Sequence, residues 1–212
     1  MTSIVDINTI ENQVYSIILE KIRKGIYEPG HHLNEVLIAE ELKVSRSPVR
    51  EAIKRLNGTG LIEIKPNRGA FVRTLSGKEV SEMVQAREMI EIYAVQHATY
   101  PLEEEKKIRF KQFQDTFTNN LDDQDRYLAE DLLFHKTIVE LLGNTYIQRY
   151  YDELYWQINY VRDMDKVRDH LNSIHEEHLK IINALVRGTK EEAAEALYNH
   201  LKARGGSLLE LS

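Results

Sequence analysis

The stretch Val44-Ser45-Arg46-Ser47-Pro48-Val49-Arg50-Glu51-Ala52-Ile53-Lys54-Arg55-Leu56 decides how this chain is read. Ser45 opens a helix, and Pro48 sits in its first turn, where a missing N–H breaks no intrahelical bond. Val49, Ile53 and Leu56 share one face and suit a core. Arg46 and Arg50 are one turn apart and share another face. Arginines at a helix start suit the major groove of duplex DNA, because a guanidinium reaches guanine O6 and N7 with two hydrogen bonds. Ser45, Ser47 and the first backbone amides can bond phosphate. Taken singly, each arginine reads as a solvated charge. The segments on either side make the nucleic-acid reading the stronger one.

Upstream, Asn8-Thr9 opens a helix with Ile10, Val14, Ile17, Ile18, Leu19 and Ile22 at helical spacing. Gly25 stops it, because a left-handed cap favours a residue without a Cβ. Tyr27-Glu28-Pro29-Gly30 is a turn, and Asn34 caps a short helix through Leu42. Downstream, Gly58 and Gly60 end the third helix. Strands over 61–64 and 70–73 follow, the only two the pattern predicts, joined by Lys65-Pro66-Asn67-Arg68-Gly69. Three helices and a hairpin make a winged helix-turn-helix. Arg68 and Gly69 at the wing tip suit a phosphate or minor-groove contact.

The spacing divides the chain into a winged domain over 1–74, a linker at 75–78 and a second domain over 79–212. Ser76-Gly77-Lys78-Glu79 has capping-box spacing. About six helices follow, near 77–99, 102–120, 123–143, 145–164, 166–187 and 189–209. The predicted class is mainly α: a winged helix-turn-helix followed by an all-helical bundle.

Composition narrows the function. The 212 residues are 42% hydrophobic and 29% charged, which suits a packed globular chain. No apolar run reaches the roughly 18 residues of a membrane span, and no signal peptide is visible. Cysteine is absent, which removes disulfides and thiol catalysis. These features suit a cytoplasmic protein. The net charge of −6 is unevenly spread: the first 76 residues carry 11 Lys+Arg against 9 Asp+Glu, and the remainder 17 against 25. A DNA-reading module joined to one that avoids DNA would look like this.

In the second domain, Asp131-x3-His135 puts a carboxylate and an imidazole on one helix face. His178 and His200 lie on two later helices, and all four could converge inside a bundle on a divalent ion such as Zn²⁺, Ni²⁺, Mn²⁺ or Fe²⁺. His175, one turn before His178, competes for the same role. His31, His32, His97 and His170 read as surface or capping residues. Arg87 interrupts an apolar stripe of Val80, Met83, Val84 and Ile90. Either Glu91 at i+4 pairs with it, or it clamps the carboxylate of a small ligand. Tyr93, Tyr155 and Arg162 are open to either packing or the same cavity.

Two resemblances join these pieces. Residues Leu33 to Val72 resemble the DNA-binding domain of the GntR family of bacterial transcription regulators. The resemblance lies in Leu42 to Ala52, Leu56, Gly60-Leu61-Ile62 and Arg68 to Val72. It implies DNA contacts from Arg46, Arg50, Arg68 and Gly69. The best-known member also uses an arginine in its second helix, where this chain has Val36, which puts that contact in doubt. Residues 78–212 resemble the FCD ligand-binding domain of the FadR subfamily. This second match lies in Arg87 to Glu91, Asp131-x3-His135, Glu177-His178 and His200. It implies a divalent metal, zinc first, on Asp131, His135, His178 and His200. It also implies a small carboxylate effector near Arg87 and a homodimer reading an inverted-repeat operator. About six helices point to the VanR-like branch. The expected function is a transcriptional regulator, in this family usually a repressor relieved by ligand. The alternatives are a metal-dependent enzyme and a regulator with a purely structural metal and no effector.

Overall fold

The computed structural model describes residues 9–164 and 170–209. The chain divides into two compact units, 1–74 and 75–212. Helix α1 spans Ile10–Arg23, and the Thr9 hydroxyl accepts from the Asn12 amide at its start; Asn8 lies outside the described residues. Gly25, at φ +67°, follows its cap. Asn34 Oδ1 accepts the Val36 and Leu37 amides and starts α2, Glu35–Leu42. Helix α3 spans Arg46–Gly58. Val14, Ile18 and Ile22 of α1 are buried, as are Val49, Ile53 and Leu56 of α3, and the two helices pack together. Each such side chain contributes about 1.5–3 kcal/mol by leaving water, so the N-terminal helix anchors α3.

The wing has one strand more than expected. Strand β1, His32–Leu33, pairs antiparallel with β3, Gly69–Val72, whose other edge pairs with β2, Ile62–Lys65. Leu33 faces Ala70, and Lys65 faces Gly69. A two-residue strand has no alternation to read, so only the pairing reveals it. At the hairpin, Asn67 and Gly69 take φ +59° and +97°. A Cβ on Gly69 would lie 2.6 Å from His32 Nε2, so glycine answers both the backbone and the close approach.

The second unit is a bundle of six helices among the described residues: α4 Gly77–His97, α5 Glu104–Asn119, α6 Gln124–Glu140, α7 Thr145–Met164, α8 Leu171–Arg187 and α9 Lys190–Leu209. The capping box at the start of α4 is complete: Ser76 Oγ accepts the Glu79 amide, and Glu79 accepts the Ser76 amide. The early part of the helix expected over 166–187 lies outside the described residues. Helix α4 packs on α9, α6 and α7, and α8 lies between α5 and α9. Phe110, Phe113 and Phe117 of α5 meet Phe134 of α6 edge-on, an arrangement that aromatic quadrupoles favour. This aromatic wall stands directly against the polar centre described next.

Candidate functional site

Eight buried polar or charged side chains interrupt the cores among the described residues, and four are Asp131, His135, His178 and His200. Helix α6 supplies Asp131 and His135, α8 supplies His178 and α9 supplies His200. One donor atom from each lies within 4.8 Å of all the others. His178 Nε2 is 2.9 Å from Asp131 Oδ1, and His135 Nε2 is 3.8 Å from the same oxygen. The His178 ring stacks on Phe117 with centroids 4.7 Å apart and planes 20° apart. His175 is only half buried and stands outside the group, so the choice within Ser173 to His178 falls on His178.

Every imidazole has a partner on its outer nitrogen. His135 Nδ1 donates to Glu91 Oε2 at 2.7 Å, and His200 Nδ1 donates to Glu177 Oε2 at 2.8 Å. Carboxylates only accept, so in both neutral rings the proton sits on Nδ1 and the Nε2 lone pair faces inward. His178 Nδ1 is 3.0 Å from the Tyr127 hydroxyl, which can donate or accept. If Tyr127 accepts, His178 too presents a lone pair at Nε2. Metal-binding histidines are generally held in this way. His135 Nε2 is buried and has no hydrogen-bond partner. An inward lone pair without a donor suits a cation, so the donor set fits a divalent metal. Bound there, such an ion would supply Lewis acidity and open coordination positions for a ligand.

Glu91 is fully buried. Its Oε1 accepts from Arg87 Nε at 2.7 Å and from the Tyr151 hydroxyl at 2.5 Å. Burial pushes its pKa up, but Arg87 and the hydrogen bonds from His135 and Tyr151 outweigh that and hold it at about 2. Burial moves the His135 pKa the other way, down, and Arg87 adds to it against the pull of Glu91. An ionised Glu91 beside a neutral His135 is therefore the state the surroundings favour. Arg87 is 4% exposed, and its Nη2 has no hydrogen-bond partner. Both sequence readings of Arg87 thus have a basis: Glu91 pairs with it, and one donor is left over.

Tyr93 does not line this centre. It is 46% exposed and stacks on the exposed His97, whose Nδ1 bonds the Tyr93 carbonyl. The side chains of Tyr155 and Arg162 lie outside the described residues. His31, His32 and His170 are exposed. The partners Tyr127 and Tyr151 escaped the sequence reading, and Glu177 entered it as part of the FCD resemblance without its role beside His200. Tyr127 had a signal, since 127, 131 and 135 recur every four residues on one face of α6. Glu177 and Tyr151 act across helices, where spacing carries no information.

In the first unit, Ser45 takes the N-cap position of α3, but its hydroxyl makes no capping bond. Arg46, Ser47 and Arg50 are exposed on the same helix start, and Arg68 and Gly69 are exposed at the wing tip. Glu35 of α2 reaches across to the arginines. Its carboxylate accepts from Arg50 Nε at 3.1 Å and Nη2 at 3.0 Å and lies 3.9 Å from Arg46 Nη2.

A helix-turn-helix with a three-stranded wing, followed by a helical domain with a buried Asp/His₃ group, finds its counterpart in two family models. The first, "Bacterial regulatory proteins, gntR family", matches residues 10–72, and the FCD domain matches residues 82–203. The chain belongs to the GntR family and carries an FCD domain. It is similar to the uncharacterized HTH-type transcriptional regulator YdhC of Bacillus subtilis (strain 168), with 27% identity over 89% of this chain and 86% of that one. It is 31% identical to the gluconate operon transcriptional repressor of the same organism over 63% of this chain and 56% of that one. A solved GntR structure from Rhodococcus sp. RHA1 superposes with TM-score 0.82 at 24% identity, covering 95% of this chain and 98% of that one. The protein is thus a DNA-binding transcriptional regulator, and its relatives are regulators rather than enzymes. No helix among the described residues is long and apolar enough to cross a membrane.

Proposed function

We propose that this regulator is a cytoplasmic homodimeric repressor whose grip on an inverted-repeat operator is controlled by a small carboxylate bound beside a divalent metal, with zinc the first choice. Residues 1–74 read DNA through Ser45, Arg46, Ser47 and Arg50 in the major groove and Arg68 and Gly69 on the wing. Residues 75–78 link them to residues 79–212, which bind metal and effector and dimerise. The observation that carries this reading is the inward convergence of Asp131, His135, His178 and His200, each histidine backed on its outer nitrogen. Imidazole with carboxylate suits zinc, with nickel, manganese or iron also accommodated.

Arg87 Nη2 supports the carboxylate, because a buried guanidinium N–H without an acceptor suits an anion. It is also what favours this reading over a metal with a purely structural role. Hydroxy acids are apt probes, given a relative that is named a gluconate operon repressor.

The test is a thermal-shift series of small carboxylates, gluconate among them, on zinc-loaded and chelated protein. A two-fold-symmetric operator would be titrated alongside. The expected result is a shift that needs the metal, together with operator affinity that changes with the same acid. Strong destabilisation by chelator with no response to any acid would leave a structural metal and remove the effector.

A further inference from the structure

Glu91 sits between the two halves of the effector site without belonging to either. Its Oε2 holds the Nδ1–H of His135 at 2.7 Å, and its Oε1 holds Arg87 Nε at 2.7 Å and the Tyr151 hydroxyl at 2.5 Å. It comes from α4, its histidine from α6 and its tyrosine from α7. None of this network is exposed: Glu91 and His135 are 0% and 1% exposed, and Arg87 and Tyr151 are 4% and 2%. With three donors on two oxygens, the carboxylate has one orientation open to it.

That fixed orientation has two consequences. A neutral imidazole can carry its proton on either nitrogen, and the wrong choice at His135 would point an N–H at Asp131 and at its neighbours in the centre. Glu91, as an acceptor only, selects Nδ1–H. It also compensates the buried charge of Arg87, bonding its Nε beside Tyr151, which interacts with the same guanidinium, while Nη2 has no hydrogen-bond partner. The carboxylate thereby sets both the donor character of a metal ligand and the direction in which the guanidinium is offered.

We propose that Glu91 is a positioning residue that fixes His135 in its metal-binding tautomer while orienting Arg87, with Tyr151 holding the carboxylate in place. This rests on the reading of Asp131, His135, His178 and His200 as a metal site. The neighbouring rings differ in their support: His200 has its own carboxylate in Glu177, and His178 has a hydroxyl. Among the three histidines, loss of Glu91 therefore strikes at His135 alone, and it weakens the metal site without abolishing it.

The experiment compares full-length wild type, Glu91→Gln, Tyr151→Phe and His178→Ala. Zn²⁺ affinity is measured by competition with a chromophoric chelator, and the His135 tautomer by ¹⁵N chemical shifts in the metal-free protein. His178→Ala is expected to lose most of its affinity. Glu91→Gln is expected to lose about 10- to 100-fold, the usual effect of removing such a partner, and Tyr151→Phe a smaller amount. The His135 ring is expected to show Nδ1–H in wild type and a mixture in Glu91→Gln, a change that a residue needed only for folding would not cause. If His178→Ala loses zinc while Glu91→Gln binds as wild type with an unchanged tautomer, the role of Glu91 is overturned and the metal site stands. If His178→Ala binds zinc as wild type, the metal site itself is wrong. Should Glu91→Gln fail to fold because Arg87 is stranded, Arg87→Met combined with Glu91→Gln removes both charges. Wild-type zinc affinity in that double variant would equally overturn the proposal.

Discussion

Glu91 and His135 give the second unit a definite response to acid. The Glu91 carboxyl ionises at about 2 in the folded chain against an ordinary 4.5, so the folded state binds its proton less readily than the unfolded one. Its contribution is complete above the ordinary value and is lost as pH falls from there towards 2. His135 adds an earlier loss. It is held neutral by burial, whereas the unfolded chain protonates it below about 6.5, so stability starts to fall on passing that pH. Denaturant midpoints of the metal-free protein should decline in two stages between pH 8 and pH 3, and a flat profile would contradict the network. On the DNA side, Arg50→Ala should cost about 1–3 kcal/mol of discrimination between the operator and a scrambled duplex. Equal losses on both duplexes in a mobility-shift titration would make Arg50 a phosphate contact instead.

Helix α2 ends in a manner that leaves room for improvement. Lys43 forms its C-cap at φ 55° and ψ 41°, a left-handed conformation in a residue with a Cβ. That conformation costs about 1–2 kcal/mol, and the greater freedom of an unfolded glycine returns roughly 0.4–1 kcal/mol of it. Lys43→Gly should therefore raise the unfolding temperature, by a net gain between zero and about 1.6 kcal/mol. A lower temperature would show that Lys43 makes a compensating contact. Elements of this kind are the ones legible in the sequence. Thr9, Asn34 and Ser76 mark helix starts because capping is local chemistry, and apolar spacing in α3 announces which face is buried. Strand β1 was invisible because its two residues are extended only by their pairing with β3. The four candidate ligands were legible as residue types and, through family resemblance, as a set. Their supports Tyr127 and Tyr151 were not, nor was the role of Glu177 beside His200, since each reaches a different helix. The exposure of Tyr93 likewise depends on how α4 is turned within the bundle.

Taken as a molecule, the chain places its four donors on three helices, with α6 separated in sequence from the consecutive pair α8 and α9. An ion there would tie α6, α8 and α9 together and stabilise the folded form by mass action, by about 2.7 kcal/mol at a hundredfold excess over the dissociation constant. Chelation should accordingly lower the unfolding temperature of wild type, and His178→Ala should unfold at the same temperature with or without chelator. A chelator effect that persists in the variant would place the ion elsewhere.

Glu35 bears on how such a molecule spends its time. Any stretch of duplex offers Arg50 a phosphate, an anion much like the carboxylate that already holds it. Exchanging one for the other gains little, so with Arg50 in its proposed role wrong sites would be left quickly, and only a base edge that adds specificity would hold the helix in place. Glu35→Gln should lengthen dwell times on random DNA and steepen their salt dependence by about one phosphate, as single-molecule tracking would show. Unchanged dwell times would mean that Arg50 leaves Glu35 without cost. If Arg50 reads the operator as proposed, the carboxylate would act as a clock on the search: it would shorten each mistaken stop, and the time saved would be repeated at every wrong site on the chromosome.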